Sequence, residues 1–174
     1  MSVSDRAGDR PGRGRSSIIL TLLRSLLLII AALLIGLVMG GQMGWFAGKR
    51  PADLGVHQGR FKPAPPTPNC VNSQSTEDYS KIPPLAYSGD GKVALARLQA
   101  LVAALPAARV IDFRADYVYA EFRTKWLGFV DDVEFYLDEN AGVIHVRSAS
   151  RLGYKDFGVN RQRVTEIRLA FGSG

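Results

Sequence analysis

The hydrophobic pattern changes character twice along the chain. From Ile18 to Val38 it is nearly continuous, with Thr21, Arg24, Ser25 and Gly36 the interruptions in a run of 21 residues. At about 1.5 Å per residue such a run spans roughly 30 Å as a helix, the thickness of a bilayer's hydrocarbon. Between residues 47 and 68 the pattern gives way to Pro51, Pro63, Pro65, Pro66 and Pro68 among three glycines. Beyond residue 88 it becomes periodic. Ala94, Leu95, Leu98, Leu101, Val102 and Leu105 recur at helical spacing, Asp90 or Ser88 can cap the start, and Pro106 stops the run. The period then shortens to two, which predicts strands at about Arg109–Phe113, Tyr117–Thr124, Asp132–Asp138 and Val143–Ala149. A closing helix follows over 161–171, with Asn160 as its cap and Val164, Ile167 and Phe171 on one side.

The alternation also predicts pairings. Centring the last hairpin on Asn140-Ala141 sets Leu137 opposite Ile144, Phe135 opposite Val146 and Val133 opposite Ser148. On the reverse side Tyr136 meets His145 and Glu134 meets Arg147; a slip of one residue would mix apolar and charged faces. The first hairpin should set Phe113 opposite Val118 and Ile111 opposite Ala120. For the middle connection Arg123 should meet Glu134 rather than Asp132, since the other register opposes Glu121 to Glu134. The expected fold is α+β: an N-terminal transmembrane helix, then a four-stranded antiparallel meander with two helices packed on one face. Ile111, Phe113, Val118, Phe122, Val133, Phe135, Leu137, Ile144 and Val146 form the apolar face. Tyr117, Tyr119, Glu121, Arg123, Asp132, Glu134, Tyr136, His145 and Arg147 form the uncovered one.

Charge refines the domain organisation. The formal net charge is +6, and residues 1–68, with nine Lys/Arg and three Asp/Glu, hold all of it; residues 69–174 carry thirteen of each. A basic excess beside a hydrophobic segment argues against a nucleic-acid partner. The expected organisation is a disordered cytoplasmic tail (1–16), a transmembrane anchor (17–46), a Pro/Gly-rich spacer (47–68) and an α+β domain (69–174). Arginines at 6, 10, 13 and 15 keep the N-terminal side cytoplasmic, which puts the domain outside the cytoplasm. A cleaved signal peptide is the rival, with Gly40 and Gly41 small enough for a cleavage site but no A-x-A pattern. Cys70 is the only cysteine, so no intramolecular disulfide forms, and no CxxC or His/Cys zinc spacing occurs. It reads as a buried small hydrophobe. No cofactor is implied.

The segments PNCVNSQ, FVDDVEFYLD, VIHVRSASRLGY and FGVNRQRVTEIR, in this order from Pro68 to about Phe171, resemble the family catalogued as domain of unknown function 1499. The resemblance implies a small bacterial or plastid protein, often with an N-terminal hydrophobic segment, and here a bacterial inner membrane with the domain periplasmic. The family's activity is unassigned, so no catalytic residue carries over. Its signature corresponds to Asp131, Asp132 and Glu134, then Arg147, Ser148, Ser150, Arg151 and Gly153, then Gly158, Asn160 and Arg161.

Residues 131–139 carry five acids and no base, and residues 147–168 carry six bases and two acids. One reading is a ladder of ion pairs, Arg123–Glu134–Arg147, with Asp131 or Asp132 holding Arg151; exposed pairs contribute only about 0–1 kcal/mol each. A second is an anion notch in which Arg147, Arg151 and Lys155 converge on Asn160 and Arg161 at the amino terminus of the last helix. An anionic lipid or envelope polyanion would suit it. A third is acid–base chemistry by Glu134, Tyr136 and His145, as in an envelope hydrolase. A metal at Asp132 and Glu134 must compete with the arginines for the same oxygens. Trp126-Leu127-Gly128-Phe129 is either a docking loop or a lid over the core. The expected work is binding or scaffolding in the cell envelope, with a protein partner open.

Overall fold

The computed structural model describes residues 13–172. Residues 1–12, most of the expected tail, lie outside the described residues. Contacts divide the chain into two units, Met1–Met39 and Gly40–Gly174. The first is carried by helix α1 (Arg13–Gln42). Its apolar part, Ser17–Gln42, is 26 residues long and its most hydrophobic stretch is not buried, a composition shared by membrane anchors and signal sequences. The helix starts at Arg13, so residues 13–16 do not belong to an unstructured tail; adding a residue to an existing helix is close to neutral, and the apolar run supplies the nucleus.

The second unit is an α+β domain: β1 (Cys70–Asn72), β2 (Leu85–Ala86), α2 (Gly91–Ala103), β3 (Ala108–Phe113), β4 (Tyr117–Arg123), β5 (Val130–Asp138), β6 (Val143–Ser150) and α3 (Val159–Gly172). The meander is present as β3-β4-β5-β6, but the sheet has six strands: β1 and β2 both pair with the outer edge of β6. They escaped the periodicity because three and two residues are too short to show one. Asp90 caps α2, its carboxylate accepting from the Lys92 and Val93 amides.

The β5–β6 register is the expected one, with Glu134 opposite Arg147 and Phe135 opposite Val146. The first hairpin keeps the expected pairing of Phe113 with Val118 but not that of Ile111, and the middle hairpin differs. A bulge between Val110 and Asp112 sets Val110, not Ile111, opposite Ala120, and turns Ile111 to the far face. In the middle hairpin Arg123 meets Val130, so that Tyr119 faces Glu134 and Glu121 faces Asp132. The turn from Thr124 to Phe129 is tight, closed by Thr124 N–H to Phe129 O and Gly128 N–H to Thr124 O, and it sets this pairing against the preference of the charges. Phe113, at a strand end, is exposed rather than covered. Otherwise α2 and α3 close the apolar face: Leu95, Leu98, Val102, Val164, Ile167 and Phe171 pack on Val118, Phe122, Val133, Phe135, Ile144 and Val146.

The far face is not open. Where the sequence predicts a spacer, residues 50–66 lie across the sheet. Leu54, Val56 and Phe61 pack on Tyr117, Tyr119, Tyr136 and Ile111. The Gly55 amide donates to Glu134 at 2.7 Å, Gln74 grips the backbone at Gly59 and Phe61, and the Tyr79 hydroxyl donates to Pro65 O. Prolines that stiffen a free linker equally stiffen a strap, and three apolar side chains with a cluster of tyrosines to cover decide the matter. Phe61→Ala should therefore cost about 3–5 kcal/mol in urea unfolding and expose residues 50–66 to protease; a free spacer would show neither effect.

Candidate functional site

Alternation along β4, β5 and β6 brings Tyr117, Tyr119, Glu121, Asp132, Glu134 and Arg147 to the strapped face. Glu134 is fully buried, and its carboxylate accepts from the Gly55 amide, the Tyr117 hydroxyl and Arg147 Nη1, the last at 3.1 Å. Burial, with the Glu134 charge beside it, pushes the Tyr117 hydroxyl far above its ordinary range, so it is a permanent donor.

Glu121 and Asp132, which face each other, would repel. Arg151 lies just past β6 and reaches back between them. Its Nε donates to both Asp132 oxygens at 3.1 and 3.0 Å, and its Nη2 reaches Asp132, Tyr119 and Glu121. Arg50, from the strap, adds a second cation to Glu121 at 2.6 Å. Burial opposes ionisation of Glu121, but hydrogen bonds from Arg151 and Arg50 outweigh it and hold the carboxyl below its ordinary value.

The predicted ladder is thus half present. Glu134–Arg147 and Asp132–Arg151 form; Arg123 instead donates to Gly41 O and Gln42 O at 2.9 Å. Asp131 points to the helix side and pairs with Arg163 at 2.6 Å. Asn160 does not cap α3: its side chain is buried, accepting from Ser148 and Arg163 and donating to Asn69 O, Ser150 and Asp156. The capping role falls to Asp156, whose carboxylate accepts from the Gly158 and Asn160 amides. Burial raises its pKa, but those amide bonds prevail and hold it low. Arg161 turns away to Lys81 O and Tyr79 O. Arg147 and Arg151 therefore do not converge with Asn160 and Arg161, and the helix terminus is already filled by a carboxylate.

Arg147 and Arg151 converge elsewhere. Together with Lys49, Lys62, Asp53 and Asp132 they line a cleft of about 380 Å³ between strap and sheet. Asp53 is held by Lys62 at 2.8 Å and Asp132 by Arg151. Lys49 is exposed. Arg147 is 2% exposed, and its buried Nε–H has no hydrogen-bond partner.

The acid–base candidates separate. Tyr136 stacks on His145, but Glu134 is fully buried and engaged by three other donors. His145 Nδ1 lies instead 3.1 Å from Ser73 Oγ, a neighbour that sequence distance concealed. Its Nε2 is 3.8 Å from Asp138, beyond hydrogen-bond length, and Ser73 Oγ accepts from the Val146 amide. Burial lowers the His145 pKa despite Asp138. Cys70 is buried, and burial raises its thiol above the ordinary value. Among the described residues no three His, Cys, Asp or Glu side chains group as a metal site.

Two outcomes follow from the titrating and charged groups. Glu134→Gln, which leaves the Arg147 charge buried without its partner, should cost about 3–5 kcal/mol in urea unfolding. Because the unfolded chain protonates His145 more readily than the folded one, stability should be complete above its ordinary pKa of 6.5 and decline as pH falls below it; His145→Gln should remove that part of the decline in a denaturation series from about pH 7.5 to about pH 5.5.

No curated protein and no solved structure matches the chain. A family model does, over residues 60–171, a span that takes in the second half of the strap as well as the sheet and helices. Its description is a protein of unknown function, DUF1499, and the chain belongs to that family.

Proposed function

We propose that this is an uncleaved, single-pass protein of a bacterial inner membrane whose periplasmic domain binds an anion in the cleft beneath the strap. Arginines 6, 10, 13 and 15 ahead of the apolar run support the orientation. The end of α1 supports retention of the anchor: Gly41 O and Gln42 O accept from Arg123, and the Gln42 amide donates to Lys125 O and Trp126 O. Cleavage after Gly41 would discard part of that set.

The anion reading rests on Arg147. A buried guanidinium with an unsatisfied Nε–H forfeits about 1–3 kcal/mol relative to one with all donors used. It lines a cleft whose other cations are Lys49, Lys62 and Arg151. A phosphate or carboxylate oxygen entering there gains the exposed ammonium of Lys49, the half-buried one of Lys62 that it shares with Asp53, and a donor already stripped of water. A phosphorylated lipid headgroup or an acidic envelope polymer has the required chemistry. The site replaces the notch expected at the last helix. In calorimetric titration of the full chain with inorganic phosphate and with polyphosphate, Lys49→Ala and Lys62→Ala should each weaken binding several-fold and leave the melting temperature within about 2 °C, as surface changes do. Affinity unchanged in both variants for both anions would end the proposal.

One observation favours a second reading, hydrolysis, namely the Ser73–His145 contact at 3.1 Å. With Asp138 too distant to orient the ring and Ser73 Oγ engaged by a backbone amide, no labelling of Ser73 by a fluorophosphonate is expected. Labelling that vanishes in His145→Gln would restore the enzyme.

A further inference from the structure

Given the anion reading above, on which this rests, we infer that the cleft beneath the strap selects an organic monoanion, a phosphodiester or a monocarboxylate, over sulfate, pyrophosphate and other multiply charged oxyanions.

The selection follows from how the cations of the cleft are already paired. Arg147 holds Glu134 at 3.1 Å, Arg151 holds Asp132 at 2.7 Å and Lys62 holds Asp53 at 2.8 Å. Among the described residues Lys49 is the one lining cation without a carboxylate partner. The next shell changes nothing. Arg50 and Arg151 share Glu121, so five bases stand against four acids and the excess is one positive charge.

The cleft therefore offers more donors than charge. Arg147 has a hydrogen bond to give at Nε but no charge to spare, since Glu134 neutralises it. Lys62 is held beside it: Asn72, opposite Arg147 across the β1–β6 pair, donates from Nδ2 to Lys62 O at 3.3 Å. One negative charge on a ligand is met by Lys49 and by these donors. A second charge finds no unpaired cation, and it shares about 380 Å³ with the Asp53 and Asp132 carboxylates. Like charges at such range repel strongly where water is partly excluded. Asp53 is the one that meets an incoming ligand, because its side chain is 70% exposed and that of Asp132 is 3% exposed. The hydrogen bond from Lys62 holds the Asp53 carboxyl below its ordinary value, so it stays charged at neutral pH.

The walls favour a ligand with carbon attached. Pro51, Pro63, Pro65 and Ala149 line the cleft among the charges, and a bare inorganic ion would leave them in water. An ester or alkyl substituent covers them. The volume suits a small ligand, whose pockets run from about 300 to 1,000 Å³.

The test titrates the full chain calorimetrically, in a non-ionic detergent at neutral pH and fixed ionic strength. Diethyl phosphate and butyrate are the monoanions, and sulfate and pyrophosphate are their rivals. At least one monoanion is expected to bind about ten-fold more tightly than either rival, and which one does so tells a phosphodiester ligand from a carboxylate. Asp53→Asn removes the exposed repelling charge. It should raise affinity for sulfate and pyrophosphate about five-fold more than affinity for the monoanions. Binding of no anion, or affinities that Lys49→Ala leaves unchanged, would remove the site itself. Rivals that bind as tightly as both monoanions, with Lys49→Ala still weakening all four, would keep the site and overturn the selection. So would a preference that Asp53→Asn does not narrow.

Discussion

Strand β5 places Asp131, Asp132 and Glu134 within four residues, and all three are buried. Everything around the sheet answers that constraint. An ion moved from water into the interior loses several kcal/mol of solvation, which is recovered only with a close partner and satisfied lone pairs. Asp131 takes its partner from α3, Asp132 from the turn after β6, and Glu134 from β6 itself. Each ion pair pins a different element to the same strand. The strap adds to the set, since the Gly55 amide gives Glu134 a further donor and Arg50 gives Glu121 one.

This arrangement accounts for a register that local charge would reject. Opposed acids across a strand pair are unfavourable when exposed. Glu121 and Asp132 become tolerable because Arg151 stands between them and donates to both. The ionic contacts need not add net stability over apolar residues of the same volume. What they add is selection: a slip of β4 on β5, or loss of the strap, strands a buried charge. The apolar face, where Leu98, Phe135 and Ile144 have no accessible surface, contributes the bulk of the burial and discriminates less.

The sequence was legible where side-chain period reported on burial. Leu95, Leu98 and Val102 gave α2, and the polarity split between Glu134 and Phe135 gave the β5–β6 register to the residue. It failed where a polar pattern was taken to mean exposure. Tyr117, Tyr119 and Glu134 alternate with apolar neighbours as a solvated face does, yet they are covered. The signal for the cover was present: Leu54, Val56 and Phe61 interrupt a segment otherwise rich in proline and glycine, and three tyrosines on one sheet face ask for something to pack on them. Asn160 misled for a related reason. An asparagine before a helix is read as its cap, but a buried Ser148 and Arg163 offered it better partners, and Asp156 took the helix end. The bulge at Ile111 left no mark in composition at all.

The same distinction bears on what the domain can do. A carboxylate that is to move protons needs a path to water; Glu134, engaged by three donors and without exposed surface, has none. A guanidinium that is to hold an anion needs a free donor in a place water has left, and Arg147 has that in its Nε–H. Lys49 and Lys62 line the same cleft, with Pro51, Pro63 and Pro65 beside them. Among the described residues two buried side-chain atoms lack a hydrogen-bond partner, Arg147 Nε and Arg168 Nε, and only the first belongs to a residue that lines this cleft.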